Sequence, residues 1–153
     1  KLERKHNIIN SLSLVPEELE QLNIERYNKY KTIEENEVLV EEYMTEDADI
    51  VLVAYGIAAR VSKNAIAAAR AEGIKVGLIR PITLWPFPTK RVAELAGQVK
   101  GILCAEINAG QMVQDIRLAV EGKTPVSHYG RMGGMVPTPE EIAEVIRKQL
   151  VQE

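Results

Sequence analysis

From Asp49 onward the chain alternates short apolar runs with stretches of helical period, and this alternation restricts its fold more than any other feature. IVLVAY, KVGLI, GILCAEI and PVSHY read as strands, while ARVSKNAIAAARAEG, TKRVAELAGQ, GQMVQDIRLAVEG and PEEIAEVIRKQL read as helices. Four strand–helix units in succession imply right-handed crossovers and a mainly parallel sheet covered on both faces. Gly73 and Gly122 fall where helices should stop, and Thr138-Pro139-Glu140 has the chemistry of a helix start. Upstream, EVLVEEY reads as an edge strand with Val38 and Val40 on one face. The expected fold is a three-layer α/β/α domain whose sheet has about five strands, one of them antiparallel at an edge.

The glycines mark a boundary, because none of the 10 precedes Gly56. From Pro16, PEELEQLNIERYNKYKTIEEN reads as a charged surface helix with a narrow apolar stripe of Leu19, Leu22, Tyr30 and Ile33. We therefore expect residues 1–46 to be a linker helix and edge strand leading from a preceding domain, and residues 47–153 to form the α/β domain. The chain opens on Lys1 rather than Met, which leads us to expect the C-terminal portion of something longer.

Composition removes several function classes. With 19 Lys+Arg against 22 Asp+Glu and no basic stripe, a nucleic-acid partner is not expected. The single cysteine, Cys104, has no disulfide partner, which fits a reducing cytoplasm and leaves no iron–sulfur site in this chain. His6 and His128 are the only histidines, too few for the usual metal-ligand spacings. No apolar run approaches the ~20 residues of a membrane span. The start, KLERKHN, is charged rather than apolar, so no signal peptide is expected there.

The tract RPITLWPFP, Arg80 to Pro88, follows the KVGLI strand and holds the chain's one Trp and one Phe. Pro81, Pro86 and Pro88 lack amide donors, so the tract should leave the sheet as an ordered loop. Trp85 and Phe87 either plug their own core or serve recognition. Loops at the carboxyl ends of parallel strands are where α/β domains gather binding surfaces. Three more segments should share that edge: YGIAARVS, EINAGQM and HYGRMGGMVPTP. Gly56 opens a helix whose amides suit an anion, yet GxGxxG is absent. Glu106, Asn108 and Gln111 put a carboxylate and two amides around the turn at Gly110. A carboxylate with no acid or nucleophile beside it reads as structural rather than as a general base. Arg131 is a candidate partner for Glu106, and Gly133 and Gly134 suit a close approach to neighbouring backbone. Ser127 and His128 are adjacent on a strand, so they point to opposite faces and do not form a nucleophile–base pair. GxSxG is missing. Met112, Met132 and Met135 read as packing. Bottom-up, no residue is assigned a catalytic, cofactor-binding or metal-binding role, and the Pro- and Gly-rich edge suits docking.

DADIVLVAYG, EGIKVGLIRPITLWPFP, CAEINAGQMVQDIRLAVEG and HYGRMGGMVPTPEEI, in this order, resemble the C-terminal transketolase-like domain of the α subunit of 2-oxoacid:ferredoxin oxidoreductases. The resemblance covers about Asp47 to Leu150, and YGRMGGMVPTPEEI is most similar to the branched-chain (2-oxoisovalerate) members. It implies membership of a complex that converts a 2-oxoacid and coenzyme A to acyl-CoA and carbon dioxide and passes electrons to ferredoxin. In that family thiamine diphosphate with Mg²⁺ and iron–sulfur clusters carry the chemistry, in the preceding domain and in partner subunits. The resemblance thus implies a fragment without chemistry of its own, with Arg80, Trp85, Pro86, Phe87, Glu106, Asn108, Gln111 and Arg131 as candidates for interdomain or intersubunit contacts. Two alternatives stay open: a nucleotide- or flavin-binding module, and the related domain of a lipoamide-linked 2-oxoacid dehydrogenase.

Overall fold

The computed structural model describes residues 12–150. KLERKHN, with His6, lies outside the described residues. The chain divides into two units between Asn36 and Glu37. In the first, helix α1 runs Pro16–Asn36 and buries none of its residues. Leu19 and Ile33 of the expected stripe are half-buried, whereas Leu22 and Tyr30 are exposed. Tyr27 and Tyr30 meet edge to face with ring centroids 6.2 Å apart.

The second unit is a five-stranded sheet with helices on both faces. Its elements are β1 (Val40–Tyr43), β2 (Ile50–Ala54), α2 (Gly56–Ala71), β3 (Val76–Pro81), α3 (Thr89–Ala96), β4 (Gly101–Glu106), α4 (Met112–Val120), β5 (Val126–Gly130) and α5 (Pro139–Leu150). The strand order is β1-β3-β2-β4-β5. β2, β3, β4 and β5 are parallel, and β1 is the antiparallel edge strand, as its sequence leads one to expect.

Alternating side chains sort the core into two layers. Ile50, Leu52, Leu78 and Leu103 pack under α2 and α5 with Ile66, Ile142 and Ile146. Val51, Val53, Ile79 and Ile102 pack under α3 and α4 with Val92, Leu95, Val113 and Ile116. All five residues of β2 are buried, so this central strand is apolar throughout rather than alternating. Each such aliphatic side chain contributes roughly 1.5–3 kcal/mol on leaving water.

β1 shows how an edge strand is protected. Glu41 turns to the α2 face, where it pairs with Arg80 and, at 2.6 Å, with Lys63. Glu42 turns to the α3 face and receives Arg91 through two bonds of 2.6 and 2.9 Å. Those partners hold both carboxyls below the usual carboxylate range: for Glu41 the bonds from Lys63 and then Arg80, for Glu42 the bond from Arg91. Charged groups along an edge discourage pairing with a foreign strand.

The proline tract corrects one expectation. The ladder does not stop before it, because β3 includes Arg80 and Pro81, paired with Glu41 and Val40. The reason is parity. Ile82 donates to the Leu39 carbonyl at 2.9 Å, so the nitrogen of Pro81 faces the other neighbour. On that side the β2–β3 register ends at Val53↔Ile79, and no donor is wanted.

The start of α5 is a capping box. The Glu141 amide donates to Thr138 Oγ1 at 3.2 Å, and the Thr138 amide donates to the Glu141 carboxylate at 2.9 Å. Among the described residues no helix is long and apolar enough to cross a membrane.

Candidate functional site at the carboxyl edge of the sheet

The parallel strands place the loops after β2, β3, β4 and β5 on one edge. The strand order reverses between β2 and β4, which is the position where open α/β sheets form a crevice. An open cleft of about 170 Å³ lies there, lined by Tyr55, Leu84, Phe87, Gln111, Met112 and Asp115.

The anchor of this edge is Glu106, the last residue of β4, whose side chain is fully buried. One carboxylate oxygen accepts from the amide of Met112 at 2.9 Å and from Asn108 Nδ2 at 3.0 Å. The other accepts from the Val113 amide at 3.2 Å and from the Cys104 thiol at 3.2 Å. Asn108 Oδ1 in turn accepts from the amides of Gly110 and Gln111, at 2.7 and 3.1 Å. Free amides at the beginning of α4 are thus satisfied by a buried carboxylate instead of an N-cap side chain. Burial pushes the Glu106 pKa up, but the bonds from Met112, Asn108, Cys104 and Val113 outweigh it, and the net shift is downward. A general base needs the opposite shift. The same burial, with the Glu106 carboxylate alongside, drives the Cys104 thiol far upward and leaves it inert.

Arg131 does not pair with Glu106. Its guanidinium is ion-paired with Glu141, and only its backbone amide reaches Glu106, at the carbonyl oxygen, 3.3 Å away. Glu106 has no room for it, since its oxygens are taken up within the β4–α4 turn. His128 of β5 faces this turn, with Nε2 3.5 Å from Glu106 Oε1 and buried without a hydrogen-bond partner among the described residues. Ser127 points the other way and receives Gln149 of α5, so the two residues do lie on opposite faces.

The glycines that permit close approach are not Gly133 and Gly134. Both have positive φ, 65° and 86°, and open space where a Cβ would stand, so they serve a turn. Close approach occurs at Gly130, where a Cβ would collide with the Asn108 carbonyl and stand 2.8 Å from His128 Cε1. It occurs again at Gly77, where a Cβ would stand 2.6 Å from the Met44 carbonyl oxygen.

The residues proposed from sequence separate into two groups. Pro86 and Glu106 are buried and shape the loops, and Phe87 is half-buried against the α3/α4 core. Trp85 is 53% exposed, Gln111 is exposed, and Arg80, Asn108 and Arg131 are half-buried with their polar groups engaged. Met112 is buried, but Met132 and Met135 are 60% and 52% exposed, so packing does not account for them. Sequence reasoning missed Tyr55, Leu84 and Asp115 in the cleft and the coupling of Cys104 to Glu106. For the last, the i,i+2 spacing on one strand face was a usable signal. No three His, Cys, Asp or Glu among the described residues are placed to share a metal ion.

Comparison with known proteins bears on the family. The chain is 49% identical over 146 residues to ketoisovalerate oxidoreductase subunit VorB of Methanothermobacter marburgensis, an alignment covering 95% of this chain and 40% of that one. The chain spans about two fifths of the length of this relative and of the corresponding subunit of Methanothermobacter thermautotrophicus. A solved structure of 2-oxoglutarate:ferredoxin oxidoreductase from Magnetococcus marinus, with 2-oxoglutarate, coenzyme A and succinyl-CoA bound, matches with TM-score 0.77 and 26% identity over 90% of this chain and 24% of that one. A split-gene transketolase, an inactive β4 tetramer, shares the fold with TM-score 0.62 and 19% identity over 72% of this chain and 41% of that one. The transketolase-like fold expected from the sequence is thus the one observed. The model of the pyruvate:ferredoxin oxidoreductase core domain II matches residues 48–142, and the chain belongs to that family.

Proposed function

We propose that this chain is the C-terminal assembly domain of the α subunit of a 2-oxoacid:ferredoxin oxidoreductase acting on a branched-chain acid of the 2-oxoisovalerate type. In the overall reaction the bond between the keto carbon and the carboxylate breaks and carbon dioxide leaves. The acyl carbon bonds to the coenzyme A sulfur as the thiol S–H bond breaks and its proton is released, and the electron pair passes to ferredoxin one electron at a time. The observation that carries this reading is 49% identity along nearly the whole chain to a ketoisovalerate oxidoreductase subunit. The reading puts the complex in a reducing cytoplasm, in keeping with the lone Cys104.

Thiamine diphosphate, the cofactor of this chemistry, would supply a nucleophilic carbon and an electron sink where it is bound. The described residues do not fit it: α2 opens at Gly56 without a phosphate loop, and the carboxylate at the edge, Glu106, is buried and engaged by the start of α4, Asn108 and Cys104. The cofactor, its Mg²⁺ and the iron–sulfur clusters belong in this reading to the preceding domain and to partner subunits. This domain's part is to hold them in register through its carboxyl edge, where Trp85 and Gln111 are exposed, while Phe87, Asn108, Arg80 and Arg131 are half-buried and order the loops.

An anaerobic assay of the intact subunit co-purified with its partners tests the reading. Coenzyme A-dependent reduction of a viologen dye should be fastest with 2-oxoisovalerate, ahead of pyruvate and 2-oxoglutarate. A preparation with its cofactors in place that reduces dye with none of the three refutes the reaction. One that prefers 2-oxoglutarate refutes the substrate class.

A further inference from the structure

The stretches after the four parallel strands, 55–59, 82–88, 107–111 and 131–138, contain one charged residue, Arg131, which is ion-paired with Glu141, in a chain that is 27% charged. At the opposite edge, the turns leading into the same strands carry Glu46, Asp47, Asp49, Glu72, Lys75, Lys100, Glu121 and Lys123. One edge of the sheet is thus built for water and the other is not. Ile57, Ile82, Leu84, Met132 and Met135 stand between 46% and 60% exposed on the weakly charged side.

Within this neutral edge one carboxylate lines the cleft, that of Asp115 in the first turn of α4. An acidic residue there ordinarily serves the helix N-terminus. Here Glu106 and Asn108 already take the amides of Gly110, Gln111, Met112 and Val113, and Asp115 has no hydrogen bond or ion pair among the described residues. Its neighbours in the cleft are the apolar walls Leu84, Phe87 and Met112, with Tyr55 and Gln111 at hand. The volume decides the class of occupant. Pockets for cofactors and metabolites measure about 300–1,000 Å³, so a cleft of about 170 Å³ admits a single long side chain rather than a nucleotide.

On the reading that this edge docks within the oxidoreductase, we infer that the cleft receives a basic side chain, preferentially arginine, from an otherwise apolar surface of a neighbouring subunit. Docking strips water from Asp115, and a carboxylate so buried needs a cation or costs the complex dearly. The aliphatic stem of arginine fits against Leu84 and Met112. Its planar head matches both a carboxylate and the rings of Phe87 and Tyr55. Among the walls of the cleft only Asp115 fixes the sign of the partner's charge. Arginine is enriched at interface hot spots, which sit in desolvated pockets ringed by near-neutral contacts that exclude water.

The test uses the intact subunit assembled with its partners, followed by sedimentation velocity between low and high salt. Asp115→Asn should weaken assembly roughly thirtyfold or more, as truncation of a buried charge pair does. It should also flatten the salt dependence, and Asp115→Lys should weaken assembly further. The thermal unfolding of each free variant subunit should match wild type. Leu84→Asp reports on the edge itself. If Leu84→Asp dissociates the complex while Asp115→Asn and Asp115→Lys leave it intact, the edge docks but takes no cation, and the inference fails alone. If all three variants assemble like wild type, the docking role of the edge falls with it.

Discussion

Replacing Glu106 is the sharpest test of how this edge is held. Its carboxylate is buried and accepts from the Met112 and Val113 amides, both in buried residues at the start of α4, besides Asn108 and the Cys104 thiol. Glu106→Ala leaves two buried amides unpaired, and at about 1–3 kcal/mol each this puts the loss at roughly 2–6 kcal/mol. A domain of this size holds about 5–15 kcal/mol in all, so the variant should be marginal. Glu106→Gln keeps the volume and one acceptor but removes the charge and turns an NH₂ toward donors, for a loss of roughly 1–2 kcal/mol. The pH dependence fixes the cause. Because the folded pKa of Glu106 lies below its ordinary value, its stabilisation is complete above the carboxyl range and is lost as pH falls through the folded pKa. Urea unfolding followed by circular dichroism should therefore show the widest gap between wild type and Glu106→Gln near neutrality, narrowing below about pH 4. Carboxylates common to both proteins cancel in the difference. Equal stabilities at pH 7, or a gap that widens on acidification, refute the account of Glu106 as an ionised cap.

Gly130→Ala should cost about 3 kcal/mol or more in the same experiment, because its Cβ meets the Asn108 backbone, whereas Gly133→Ala pays only for its positive φ, about 1–2 kcal/mol. Equal losses would show that the close approach is unimportant. The Cys104 thiol, buried and driven upward by burial and by Glu106, should react with a disulfide reagent at pH 8 only as fast as the domain opens. Reaction at the rate of a free thiol, without urea, would contradict its placement. Thr138→Ala should destabilise by about 1 kcal/mol through loss of the capping box, read as a lower urea midpoint with unchanged slope. No change would mean that the box is idle.

Much of the fold is legible in the sequence because its signals are local. The strand and helix periods, the capping box at Thr138 and the helix stops at Gly73 and Gly122 each depend on a few neighbouring residues. The misreadings at Pro81, Gly130 and Arg131 depend on partners distant in sequence. Whether Pro81 breaks a ladder is decided by which neighbour its nitrogen faces, and that is set by the pairing of β1 with β3 across some forty residues. Gly130 is fixed by a carbonyl at Asn108 on the adjacent strand's loop, while Gly133 and Gly134, which look like the contact residues, answer only to a turn. From the sequence, Arg131 is a candidate partner for Glu106 because both stand at strand ends on one edge. Its actual partner, Glu141, shares the α5 capping box and becomes available only once α5 has folded back beside β5. The carboxyl edge is legible as a set of loops, but the cleft is not, because its walls come from three strand ends.

The two parts of Glu106 explain why those loops suit a docking role. Its carboxylate fixes the loop after β4 and the first turn of α4, the element that carries Gln111, Met112 and Asp115. Its carbonyl accepts the Arg131 amide and so fixes the start of the loop after β5, whose guanidinium then ties that loop to the cap of α5. The loop after β3 is held separately, by Thr83 Oγ1, which donates to the Pro86 carbonyl at 3.0 Å and accepts from the Leu39 amide at 3.0 Å. A surface whose loops are ordered before the partner arrives loses less conformational freedom on binding. The sequence invests its most buried carboxylate in that order instead of in chemistry. On the function proposed above, this is the division of labour expected of a domain that positions catalytic groups held elsewhere in a complex.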